Sequence, residues 1–202
     1  MYRYLLPSFG LFFLFACGNG VETIQVKSED GRLVESYERD KVTLLRQGLY
    51  RNYDERGNLL EEANYVNDTL NGSRRMFYPD GQVQIEEQYA MGNFIGSYRS
   101  YYPDGQLEQE GTYIGNEMTG PWKRYYEDGQ LLESVEFRGN EENGPFVEYY
   151  PNGKLKAEGT YANGDNEEGE LRMYSESGEL ERRMDCKNGI CRTVWKAEGV
   201  EE

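Results

Sequence analysis

The sequence predicts an all-β fold: a single-layer antiparallel meander of about seven stacked β-hairpin repeats, elongated and curved. Three observations carry it. Gly48, Gly72, Gly96, Gly120 and Gly144 stand 24 residues apart, and Gly169 follows after 25. A second glycine lies nine residues after each, at Gly57, Gly81, Gly105, Gly129, Gly153 and Gly178. Aromatic and aliphatic residues keep the same register from copy to copy. A unit this short cannot bury its own rings, so neighbours must stack and the end copies must act as caps.

The chain opens on an address. Residues 1–16 hold one charge, Arg3, and an apolar run from Tyr4 to Ala16. That run is too short for a membrane-spanning helix but suits a signal peptide. Leu14-Phe15-Ala16-Cys17 resembles a bacterial lipobox, in which Cys17 is lipidated and becomes the first residue. Several acyl chains give stable anchoring where one does not. Gly18 in place of Asp points to the outer membrane, by resemblance to diderm lipoproteins. Residues 17–22 then form the lipidated cysteine and a tether, and 23–47 a degenerate capping hairpin around Asp30-Gly31-Arg32-Leu33.

Five repeats of 24–25 residues occupy 48–168. Two residues after the first glycine comes one aromatic row, with Tyr50, Tyr98, Trp122 and Phe146. Five residues after it comes another, with Tyr53, Phe77, Tyr101, Tyr125, Tyr149 and Tyr174. The second glycine closes a turn that reads Tyr78-Pro79-Asp80-Gly81-Gln82 and recurs from Tyr102 and Tyr150. Pro presets φ, Asp or Asn bonds its own backbone, and Gly takes the left-handed position. Such a three-residue loop sets Tyr78 against Gln82, hence Phe77 against Val83, Tyr101 against Leu107 and Tyr125 against Leu131.

Period-2 alternation places Leu107, Gln109, Gly111 and Tyr113 on one side of the second strand and Glu108, Glu110 and Thr112 on the other. Gly111 and Gly159 leave room for a neighbouring ring. Glu62, Glu86, Glu110 and Glu158 form a carboxylate row near Arg51, Arg75, Arg99 and Lys123. Asn67-Asp68, Gly92-Asn93, Gly115-Asn116, Gly139-Asn140 and Asn163-Gly164 are the second turns, giving roughly fourteen strands. Residues 169–195 make the C-terminal repeat and capping hairpin, and 196–202 an acidic tail. There Cys186 and Cys191 flank the Asn188-Gly189 turn, where opposed residues can meet disulfide geometry.

Composition narrows the function. The charge is −15, which repels nucleic-acid backbones. His is absent, which removes His-based triads and His metal ligands. The acidic run Asp165-Asn166-Glu167-Glu168 lacks the alternating spacing of a calcium loop. No catalytic residue, metal site or cofactor is expected.

Taken together, the glycine, the aromatic, Tyr-Tyr-Pro-Asp-Gly-Gln-Leu, Glu-Gly-Thr-Tyr and the Gly-Asn turn resemble the MORN-repeat variant family over about residues 46–190. Two copies depart from it, with Arg56 for the turn Asp and Ser175 for the second Tyr. The resemblance implies binding or scaffolding without catalysis. Bacterial members often carry a toxin–antitoxin antitoxin label, which suits cytosolic partners and fits an exported chain poorly. The expectation is an envelope-anchored module with an unidentified protein partner. Its candidate surface is Tyr98, Trp122, Phe146, Tyr102, Tyr126 and Tyr150, with Trp122 and Trp195 as anchors. A glycan stacked on Tyr and Trp rows is the alternative. A carboxylate hydrolase is the weakest reading, because it needs a buried acid pair about 5–9.5 Å apart.

Overall fold

A computed structural model describes residues 20–200 of the chain. They form sixteen strands in one open antiparallel sheet with no helix among them. The N-terminal hairpin is β1 (Val21–Lys27) and β2 (Leu33–Asp40). The repeats follow as β3 (Arg46–Tyr53), β4 (Leu59–Val66), β5 (Thr69–Phe77), β6 (Val83–Ala90), β7 (Asn93–Phe94), β8 (Gly96–Tyr101), β9 (Leu107–Ile114), β10 (Glu117–Tyr125), β11 (Leu131–Arg138), β12 (Glu141–Tyr149) and β13 (Leu155–Tyr161). The chain closes with β14 (Gly169–Tyr174), β15 (Leu180–Lys187) and β16 (Ile190–Lys196). Each strand pairs with the next in sequence, except that β6 pairs with both β7 and β8. Seven hairpins, the N-terminal cap included, make the expected fourteen strands; the other two are β16, added after the last hairpin, and β7, split from β8 at Ile95.

The Pro-Asp-Gly turns form as their residues dictate. Tyr78 N donates to Gln82 O at 2.8 Å and Gly81 N to Tyr78 O at 2.9 Å. Asp80 accepts the Gln82 N–H, and Asp104 and Asp128 do the same in later copies. The second glycines are all left-handed, with φ between 77° at Gly153 and 90° at Gly81. Phe77 faces Val83, Tyr101 faces Leu107 and Tyr125 faces Leu131, the register that the turn requires.

The second turns are tight and keep positive φ at both central residues. Asn67-Asp68, Gly115-Asn116 and Gly139-Asn140 lie where expected. The turn after Asn67-Asp68 is centred on Met91 (φ 48°) and Gly92 (φ 80°), not on Gly92-Asn93, because Asn93 pairs with Ala90. Asn163-Gly164 belongs to a wider loop closed by Ala162 N on Asn166 O. These turns are tied to the copy before: Asn116 N donates to Phe94 O, and Asn140 Oδ1 accepts Met118 N at 2.8 Å.

Two irregularities recur and fix which side chains share a face. Beside the Pro-Asp-Gly turn the register slips: Tyr101 faces Leu107, but Ser100 faces Gln109. Glu108 is the extra residue, and its carboxylate accepts the Ser100 hydroxyl. Such a bulge reverses the alternation. Leu107 therefore does not share a face with Gln109, Gly111 and Tyr113, as unbroken period-2 counting required. A second slip lies at the first glycine. Thr119 faces Thr112 and Lys123 faces Glu110, so Gly120, Pro121 and Trp122 all lie opposite Gly111. Gly120 (φ 69°) and Gly144 (φ 141°) supply the backbone this needs, and a bulge tolerates Pro121 and Pro145, which have no N–H.

Candidate binding surface

The two faces of the sheet differ in chemistry. One holds the core: Ala63, Trp122, Val135, Phe146 and Ala157 are buried on it, with Phe137, Tyr161 and Leu171 packed against Val135, Phe146 and Ala157. The phase reversal puts two aromatic rows on this face. Tyr89, Phe94, Tyr113, Tyr98, Trp122 and Phe137 form one chain of rings, with centroids from 4.3 Å (Phe94–Tyr113) to 6.4 Å (Phe94–Tyr98) apart. Phe146 stacks on Tyr161 at 4.2 Å, and Tyr50 meets Tyr65 at 5.6 Å. A Cβ on Gly111 would stand 2.1 Å from Trp122 Cδ2, and one on Gly159 2.8 Å from Phe146 Cε1. The indole and phenyl rings therefore lie over bare backbone, which is why glycine serves at those two strand positions.

This arrangement decides the fate of the expected aromatic surface. Trp122 and Phe146 are each only 4% exposed, so they are packing residues and present nothing to a partner. Tyr98 sits against Trp122 at 5.5 Å. Tyr102, Tyr126 and Tyr150 are part-buried, and each hydroxyl donates to a carbonyl of the following copy, at Tyr125, Tyr149 and Tyr174. They fasten one repeat to the next. We expect Tyr126→Phe to cost about 0.5–1.5 kcal/mol in urea unfolding, the worth of one such hydrogen bond. Tyr98, Tyr102, Tyr126 and Tyr150 stay partly exposed, so only Trp122 and Phe146 are withdrawn from the row. Trp195 differs: it is 39% exposed on β16, with the Arg183 guanidinium 5.8 Å from its ring.

One step of the core face is polar where the other copies are apolar. Arg74 takes the place held by Tyr50, Tyr98, Trp122 and Phe146 in other copies, and Glu87 stands directly opposite it. Arg74 Nε donates to Glu61 at 2.6 Å and Nη1 to Glu87 at 3.0 Å, while the Tyr89 hydroxyl donates to Glu87 at 3.1 Å. Burial disfavours the Arg74 cation, but Glu61 and then Glu87 outweigh it and raise the guanidinium above its ordinary pKa. The sequence signal existed as two simultaneous departures at positions that face each other.

The opposite face carries a charge ladder. Arg51, Glu62, Arg75, Glu86, Arg99, Glu110 and Lys123 are successive cross-strand partners from β3 to β10. Arg51 pairs with Glu62 at 2.8 Å, Arg99 lies 3.7 Å from Glu110, and further on Arg172 lies 3.2 Å from Glu158. The Tyr101, Tyr125 and Tyr174 hydroxyls donate to Glu86, Glu110 and Glu158. Burial alone would raise the Glu62 pKa, but hydrogen bonds from Arg75 and Arg51 hold it below the usual value. The Tyr125 phenol is pushed up to about 12 by burial and by Glu110. A carboxylate held ionised by two guanidiniums is unsuited to act as a general acid.

Five segments, 46–67, 70–91, 95–114, 118–138 and 142–163, match the MORN repeat variant family. The chain belongs to that family. No curated protein matches it. The matched MORN repeats are the five hairpin units that carry the ring chain and most of the ladder. The copy at 169–187 keeps the MORN turn, with Gly178 N on Ser175 O at 2.8 Å, but lies beyond the matched segments. A MORN array of this kind is compatible with a protein-binding or scaffold module. Cys186 and Cys191 form a disulfide that closes the last hairpin. Cys17 lies outside the described residues.

Proposed function

We propose that this protein is an envelope-anchored, non-enzymatic scaffold that holds a protein-binding surface away from an outer membrane. The observation that carries the reading is the charge ladder: its acidic and basic groups bind one another and stiffen one extended face. A stiff sheet built from repeats suits presentation of a partner. Cys17, after Leu14-Phe15-Ala16, supplies the lipid attachment, and Gly18-Asn19-Gly20 separates it from β1.

Fractionation of cells tests the anchoring. The wild-type chain should take up labelled palmitate and sediment with membranes. Cys17→Ser should lose the label completely. Palmitate labelling equal to wild type in that variant would sink the anchoring. Crosslinking in intact cells, read by mass spectrometry, tests the scaffold: a reproducible protein partner is expected, and its absence at saturating crosslinker would refute the reading.

A further inference from the structure

The last strand ends the sheet with one edge open. β16 pairs with β15 and with no other strand among the described residues, so its outer backbone groups lack the ladder that every interior strand has. An uncovered edge is a template for another strand. The strand also exposes apolar side chains: Ile190, Val194 and Trp195 are 69%, 61% and 39% exposed. A depression of about 540 Å³ lies there, lined by Arg182, Thr193, Val194, Trp195 and Lys196. The disulfide between Cys186 and Cys191 pins the strand to its hairpin, so the edge is held ready.

Charge selects the occupant. In a chain with 22 basic and 37 acidic residues, residues 180–196 reverse the balance, with Arg182, Arg183, Lys187, Arg192 and Lys196 against Glu181 and Asp185. Lys187, Arg192 and Lys196 enter no ion pair among the described residues. The other end of the sheet is acidic: residues 21–40 hold Glu22, Glu29, Asp30, Glu35, Glu38 and Asp40 against Lys27, Arg32 and Arg39. A second copy pairing β16 to β16 would set these free cations against one another, which is unfavourable for residues directly opposite.

We propose that the outer edge of β16 is a strand-addition site for an acidic, extended segment of a partner protein. Main-chain hydrogen bonds to β16 provide the grip, as in other strand additions. The register shift in β16 puts Arg192 and Trp195 on one face and Lys196 on the other. Arg192 and Lys196 therefore read acidic side chains on opposite faces of the added segment, and Trp195 covers the part of it beside Arg192. The site deepens the scaffold reading and rests on it.

The test uses the soluble mature chain carrying Cys17→Ser and a fluorescent peptide of Glu and Val with Glu on both faces. Anisotropy should show saturable binding, and amide exchange should slow in β16. Arg192→Glu with Lys196→Glu should weaken binding at least about tenfold, the scale of one lost charge-assisted contact, while exchange in β9 to β12 stays unchanged and proves the fold intact. A peptide with Lys for Glu should bind at least as weakly. Unchanged exchange in β16, equal binding of the Lys peptide, or self-association through β16 in sedimentation would each overturn the proposal. If β16 shows no protection while cell crosslinking still captures a partner, the docking site fails and the scaffold stands. If the peptide binds but crosslinking captures nothing, the scaffold fails instead.

Discussion

Gly111→Val is expected to destabilise the protein by about 3–5 kcal/mol, as much as deleting a buried aromatic ring. The new Cβ would stand 2.1 Å from Trp122 Cδ2, so the indole must leave its place between Tyr98 and Tyr113. Trp122→Ala should cost a similar amount by leaving a void. The two losses should not add, because both report the same ring against the same backbone. Gly111 needs no left-handed backbone, so once Trp122 is Ala a valine there should be neutral or mildly stabilising, as a β-branched residue in a strand. Trp122→Phe should be far milder than Ala. Phe146 already fills the equivalent place, and the Trp122 Nε1 donor, which has no hydrogen-bond partner, is removed. Urea unfolding of the four variants checks this; additive losses for Gly111→Val and Trp122→Ala would refute it.

The second large effect belongs to the polar step. Arg74→Met leaves Glu87, only 8% exposed, without its cation and strips Glu61 as well. Breaking a fully buried pair costs about 3–5 kcal/mol, and the partial exposure of Arg74 brings the expectation down to about 2–3 kcal/mol. Replacing both partners, Arg74→Phe with Glu87→Gly, copies the Phe146–Gly159 pairing of a later repeat, where the preceding strand carries a side chain as Ala63 does here. That exchange should recover most of the loss, because no carboxylate is then left stranded opposite the ring. Thermal unfolding in which the double variant falls below Arg74→Met would show that the repeats are not interchangeable at this step.

Much of this was legible in the sequence because turn chemistry is local. Pro79-Asp80-Gly81 fixed a loop length, and the loop length fixed Phe77 against Val83. The glycine at 111 was readable as space for a ring, and Trp122 fills it. What escaped depended on backbone events with weak residue signatures. The extra residue at Glu108 reverses a face without any glycine or proline to mark it. Met91 adopts φ 48° although its side chain gives no preference for that region. Both faces carry rings, so composition could not tell which one was covered. The partner of Gly111 settles it, and that partner lies on the next strand, beyond the reach of periodicity.

The order of the strands also sets how the molecule answers to force. A lipid anchor before β1 and a load at β16 would pull across the strands and not along them. Hydrogen bonds would then break one after another, as when a zip is opened from its end, and no large group of them would share the tension. Each repeat touches only its neighbours, so the chain would lengthen in steps of one hairpin and re-form when the pull relaxes.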